Sequence, residues 1–399
     1  MILKLDMVQS IALSVIVLLV GIFLVKKFSI LRKYCIPTPV VGGLVFAILA
    51  LIFKQSNIFE VELDTTLQSI VMTIFFTSVG FSASFKVLKK GGLKVAIFLA
   101  CALVLVTCQD IIGVLLAKAF NLSPLIGLAT GSVPMTGGHG TAAAFGPLLE
   151  KAGATGANTV ALAAATFGLI SGSMIGGPVG NRLILKHNLL NKNKSKKENF
   201  VELEELSNAP KPLVENNFNI AIFEILIAMG IGTIISSLFK KAGLTLPSYI
   251  GAMLSGAIIR NISDSMKTFD VPMTEIDLVG RISLSLFLSM ALMGLKLWQL
   301  ADLALPLFVM LASQVLLMYL FANFITFNAL GKDYDAAVLA AGHCGFGLGA
   351  TPNGIANMTS VTEKFGPSPT AFFVLPLVGS LFIDFFNAGI ITFFMNLFV

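Results

Sequence analysis

Runs of apolar residues as long as a bilayer crossing recur along this chain, with the polar residues collected in short stretches between them. A membrane helix needs about 20 predominantly apolar residues. On that measure the pattern predicts ten spans, at roughly 8–25, 38–53, 66–85, 95–117, 157–181, 218–239, 246–259, 279–300, 304–329 and 370–398. Two further tracts, 124–149 and 335–366, are apolar but broken by glycine and proline. The first contains GSVPMTGGHGTAAAFGP at 131–147, where a membrane helix ought to be continuous.

The broken tracts are copies of one another. LATGSVPMTGG at 128–138 lines up with LAAGHCGFGLG at 339–349, which sets Gly131 opposite Gly342 at a separation of 211. The register continues through EKAG at 150–153 and EKFG at 363–366, and Gly168 faces Gly379; upstream, Gly43 faces Gly251 at 208. Looking for such self-similarity first decides the architecture. Two halves are expected, 1–185 and 216–399, joined by the long polar segment 186–215.

With 56% hydrophobic and 12% charged residues in 399, the chain is a polytopic membrane protein by composition. The net charge of +6 sits in short loops and not in an aromatic-interleaved patch, which argues against nucleic-acid binding. It speaks instead to orientation. Lys26, Lys27, Arg32 and Lys33, and again Lys86, Lys89, Lys90 and Lys94, occupy loops without an acid, whereas the loop between them sets Lys54 against Glu60, Glu62 and Asp64. The positive-inside rule places the two basic loops in the cytoplasm and the amino terminus in the periplasm. The central linker, rich in lysine, returns to the cytoplasm only after an odd number of crossings. Five spans per half meet this condition if tract 124–149 enters and leaves on one side. Lys240 and Lys241 fit less well, since they fall outside. The predicted fold class is thus an all-α polytopic membrane protein, an inverted repeat of two five-helix halves, each with a re-entrant hairpin, about 124–149 and 335–366.

Cys35, Cys101, Cys108 and Cys344 lie in or beside apolar runs without a C-x-x-C pair, so buried free thiols are expected. The first apolar run carries its basic cluster on the far side and has no small-residue cleavage site, which reads as a retained span.

Backbone that is not helical is tolerated at membrane depth only where protein or a watery cavity satisfies it. The broken tracts therefore locate a site. Gly137, Gly138 and Gly140 let the chain turn and bare its N–H and C=O groups, and a helix beginning near Thr141 would aim its positive end at an anion. Half-helix ends of this kind meet substrate and coupling ion in inverted-repeat transporters. The second tract supplies Thr351 and Asn353 beside Pro352. His139 either hydrogen-bonds substrate or fixes the loop. Asp384, the carboxylate that stands out in its apolar run, could hold a substrate ammonium, ligate a hard cation or carry a proton; Ser173 is its repeat counterpart, and Asn387 and Asn357 are weaker candidates. Gly168, Gly172, Gly176 and Gly180, four apart, read as a packing face. No zinc pairing of histidines and no G-x-S-x-G elbow is present, so an intramembrane enzyme has little support.

The 131–147 tract, its glycine-rich mate, the charged linker and the two halves resemble the bacterial sodium/glutamate symporters. The resemblance covers nearly the whole chain. It implies sodium-driven L-glutamate uptake at the inner membrane, a homodimer in lipid, and an elevator movement of one helix group against another. It carries Gly137, Gly138 and Gly140 over as the first re-entrant motif and Gly347 and Gly349 as the second, where Leu348-Gly349 replaces the double glycine. Ser132, Thr136, Gly137, Gly138, His139, Gly140 and Thr141 would then bind substrate with Asn353, Asp384 and Asn387; Asp384, Thr351, Asn357 and Ser173 are the sodium candidates. Arg182 could assist the carboxylates but reads better as a cytoplasmic anchor. A di- or tricarboxylate symporter or a Na+/H+ antiporter is the alternative within transport.

Overall fold

A computed structural model describes residues 2–33, 36–56, 60–90, 92–189, 213–241, 248–266, 269–297 and 304–398. Most of the linker, and Cys35, lie outside them; Cys101, Cys108 and Cys344 are free thiols.

A short strand, β1 (Ile2–Leu5), leads into α1 (Met7–Lys27), whose start is fixed by a capping box between Asp6 and Gln9 and whose last turn carries Lys26 and Lys27 against the helix dipole. The short α2 (Ser29–Lys33) and α3 (Thr38–Gln55) follow, then a second strand, β2 (Glu60–Leu63). The two strands pair in parallel, Ile2 opposite Glu60 and Leu5 opposite Leu63. This short pair is an addition at one edge of an otherwise all-helical fold. The alternation in EVEL suits a strand, and its acids find cations, Lys4 with Glu62 and Lys54 with Glu60. The half continues through α4 (Thr66–Ser82), α5 (Phe85–Lys90), the 28-residue α6 (Gly92–Ala119), α7 (Pro124–Leu128), α8 (Gly138–Lys151) and α9 (Ala157–Lys186).

The second half runs α10 (Glu215–Lys241), α11 (Ser248–Met266), α12 (Met273–Met293) and α13 (Ala304–Ala329), which passes through a π-helical stretch at Ala322–Thr326. The second broken tract forms α14 (Tyr334–Gly347) and α15 (Thr351–Phe365), with Pro352 at the start of α15 because proline can open a helix but not continue one. The last expected span is interrupted: α16 (Pro369–Pro376), a π-helical stretch at Leu377–Phe382, and α17 (Ile383–Phe398).

Among the described residues eight helices are long and apolar enough to cross a membrane, or nine if the bent pair Pro369–Gly379 and Ile383–Phe398 is one span. The tenth expected span, 246–259, falls in α11, which is 19 residues long but carries Arg260, Asn261 and Asp264 in its last turns. Those groups are satisfied internally. Arg260 pairs with Asp264 at 3.1 Å, Ser84 donates to Asp264, and Asn261 accepts from the Phe85 N–H and donates to the Ala83 carbonyl.

Two groups of helices emerge from the packing. In one, α3 lies on α1 and α12, while α4 is sandwiched by α11 and α12, and α10 covers α11. In the other, α14 and α15 pack on α9, α8 packs on α9 from the opposite tract, and α6 contacts α7, α13 and α17. The four glycines of α9 are the seam of the second group. A Cβ at Gly168 would meet the Leu348 carbonyl at 2.1 Å, and one at Gly176 the Asn357 amide at 2.1 Å. Gly180 leaves room for Val361 and Ala341.

Candidate functional site

Between the two groups opens a cavity of about 470 Å³, within the range of small-molecule sites, about 300–1,000 Å³. Both broken tracts reach it. Thr136–Thr141 come from the first, Gly349–Pro352 from the second, and Gly379, Leu381 and Asp384 from the interrupted last span. The facing wall belongs to the other group: Phe75, Ser78 and Ser82 of α4, and Asp277, Gly280, Arg281 and Leu284 of α12.

The tips of the tracts touch. Gly138 has φ +59°, open to glycine at little cost, and a Cβ there would lie 2.7 Å from the Gly349 carbonyl oxygen. The helix begins at Gly138, three residues earlier than the sequence suggested, because Gly137 itself adopts the cap position. No side chain caps α8 at Gly137 or α15 at Ala350. The N–H groups of Gly138, His139 and Gly140 have no acceptor within α8, as in the first turn of any helix. Two positive helix ends thus border one cavity, a ready place for carboxylate.

Behind the wall, α6 ties the tracts together. Gln109 donates from Nε2 to the Gly347 carbonyl at 2.7 Å and accepts at Oε1 from the Thr136 hydroxyl at 2.8 Å. Gln314 of α13 holds the Gln109 carbonyl at 2.9 Å. Asp110 accepts from both the backbone N–H and the hydroxyl of Ser132, at 2.8 and 2.9 Å.

Of the residues expected from sequence, Thr136, Gly137, Gly138, His139, Gly140, Thr141, Thr351 and Asp384 line the cavity. His139 does so while its Nε2 lies 3.0 Å from the Thr166 hydroxyl, so α9 holds the ring in place. Ser132, Asn353, Asn387, Asn357 and Ser173 stand behind the wall. Asn353 donates to the Leu169 carbonyl and to the Ser173 hydroxyl, and Asn357 donates to the Gly172 and Ala341 carbonyls; these amides fasten α15 to α9 and α14. Asn387 reaches the Ser132 carbonyl at 3.4 Å. Arg182 is exposed, far from the role of carboxylate partner, with its guanidinium on the Tyr319 hydroxyl.

Sequence reasoning missed Arg281, Asp277, Gln109 and Asp110. Arg281 brings a guanidinium to the cavity wall, where Arg182 does not reach. Its signal was a charge inside the expected span 279–300. Asp110 lies deeper in an apolar run than Asp384 does, and a carboxylate in mid-span is a functional candidate by default.

Comparison with known proteins places the chain in a family. The family model for the sodium/glutamate symporter matches residues 3–367. The chain is 42% identical over 386 residues to the sodium/glutamate symporter of Haemophilus influenzae, covering 96% of this chain and 95% of the relative. It is 42% identical over 394 residues to that of Escherichia coli, covering 98% of each.

Proposed function

Because the chain belongs to the sodium/glutamate symporter family, we propose that it carries L-glutamate with sodium ions across the bacterial inner membrane. It is a transporter and not an enzyme. The carrying observation is the cavity's charge layout. Arg281 and the uncapped starts of α8 and α15 face space that Asp384 and Asp277 also border, which suits a solute with two carboxylates and one ammonium. Arg281 and the α8 N–H groups take the carboxylates. Asp384 takes the ammonium, and Thr136, Thr141 and Thr351 offer hydroxyls. A dicarboxylate without an amine would leave Asp384 unanswered.

The two halves share one element order, four long helices followed by a broken tract and a final span. That order supports the repeat with re-entrant hairpins at about 124–149 and 335–366, and the basic loops support its inverted topology, the periplasmic amino terminus and the cytoplasmic linker. The cavity between two separately packed helix groups supports an elevator, in which the group carrying both tracts moves against α1, α3, α4, α10, α11 and α12. In the homodimer we propose, the group of α1, α3, α4, α10, α11 and α12 is the fixed one, and the exposed apolar residues of α1 and α10, such as Ile16, Leu19, Phe223 and Ile227, meet lipid or the partner.

Uptake of radiolabelled glutamate into proteoliposomes tests the function. Accumulation of unmodified label under an inward sodium gradient, and its absence when potassium replaces sodium, is the expected result. Accumulation indifferent to sodium, or stronger competition by succinate or citrate than by glutamate, overturns it, and chemical conversion of the label would reinstate an enzyme.

A further inference from the structure

The buried carboxylate of Asp110 has no countercharge. It is 0% exposed, inside the second half of the membrane-spanning α6, and no cationic side chain pairs with it among the described residues. An ionised carboxylate in such a place is costly unless a cation joins it. Its two hydrogen bonds both come from Ser132. Against that same residue lies Asn387, also 0% exposed, whose Nδ2 points to the Ser132 carbonyl at 3.4 Å and whose Oδ1 is buried with no hydrogen-bond partner. The Ser132 hydroxyl has spent its one proton on Asp110. What remains uncommitted around Ser132 is therefore lone pairs: on the carboxylate, the hydroxyl and the amide oxygen. A buried cluster whose uncommitted atoms are all acceptors suits a cation.

We propose that Asp110, Ser132 and Asn387 form a sodium-binding site, behind the first broken tract and apart from the glutamate cavity. Carboxylate, hydroxyl and amide oxygens are the ligands of a hard cation, and a single positive charge on a single carboxylate leaves the site neutral in the membrane interior. The inference rests on the sodium-coupled reading and says where coupling resides. Ser132 begins the segment whose next turn, Thr136–Thr141, lines the glutamate cavity. Gly131 sits so near that a Cβ on it would lie 2.7 Å from Asp110 Oδ1. An ion that holds Asp110, Ser132 and Asn387 together fixes the tract in its binding shape, whereas an empty site leaves an unneutralised charge that loosens it.

The test uses the full-length protein in two measurements without a shared readout. Thermal unfolding in sodium chloride is compared with choline chloride and potassium chloride at equal ionic strength, without glutamate. A ligand that binds only the folded state raises the midpoint, so sodium should raise it in the wild type and fail to do so in Asp110→Asn. In proteoliposomes, Ser132→Ala and Asn387→Ala should raise the sodium concentration for half-maximal uptake by about 10- to 100-fold, the usual effect of loosening a metal's surroundings. Should Asp110→Asn not fold, these two variants decide. Unchanged sodium dependence in every variant that folds overturns the proposal, and so does a wild-type midpoint that follows pH but ignores sodium, which would assign a proton to Asp110. Failure of the symporter reading shows separately, as a wild type without sodium-driven uptake.

Discussion

Arg281 and Asp384 face the cavity with opposite charge, and each should govern a different part of the solute. Removing the guanidinium in Arg281→Gln takes away a charge-assisted hydrogen bond of about 1.5–3 kcal/mol. Half-saturating glutamate should then rise by roughly ten- to a hundredfold in uptake assays, and Arg281→Lys should restore only part of it, because an ammonium lacks the bidentate fork. Asp384→Asn should weaken glutamate while leaving the inhibition by succinate, which has no amine, nearly unchanged. Equal loss for both solutes would detach Asp384 from the ammonium. The contrast with Gln109 and Asp110 shows what a sequence hides at this scale. Both lie inside an expected span whose apolar average swamps two polar residues, and nothing in the order of residues says that they face inward. Asn353, Asn357 and Ser173 show the reverse: polar residues near a broken tract look like ligands until their donors are found on neighbouring backbone.

At the scale of elements, α9 is the helix whose substitution does most damage. Its glycine face touches the Leu348 carbonyl and the Asn357 amide at distances that leave no room for a Cβ. Gly168→Val should therefore displace the turn between α14 and α15, abolish uptake, and lower the unfolding midpoint of the purified protein; Ile170→Val, off that face, should change neither. This face was legible beforehand because spacing by four is a property of the helix itself. The broken tracts were legible for a related reason: proline and consecutive glycines interrupt a helix wherever it packs. The interruption of the last span had a weaker signal, Pro376 followed by Gly379 and Ser380 in LVGSLF, which the long apolar run around it outweighs in any span-length average. The strand pair escaped notice too, being four residues long, shorter than any window tuned to helices.

The whole molecule raises the question of sides. Ser56 at the end of α3 and Asn188 just after α9 are both exposed, and α4, α6 and α9 separate them. With the first tract entering and leaving on one face, the two positions lie on opposite sides of the membrane. In a background without Cys35, Cys101, Cys108 and Cys344, single cysteines at 56 and 188 should react from opposite sides with an impermeant maleimide. Reaction of both from one side would remove the odd-span topology and the inverted repeat with it. Loop charge is what carries this expectation, because basic loops are retained on the cytoplasmic side however the helices pack. The grouping of helices was beyond reach, since packing partners far apart in sequence leave no mark on either alone.

Gln109 has a mechanical meaning beyond its hydrogen bonds. One amide grips the Thr136 hydroxyl with its oxygen and the Gly347 carbonyl with its nitrogen, and the backbones of the tips meet at Gly138 and Gly349. The tips are thereby riveted to a common spine and cannot open like two independent doors. On the proposed elevator, a solute held between them would ride as cargo in a closed fist, and entry and exit would fall to the facing wall of Ser78, Ser82 and Arg281.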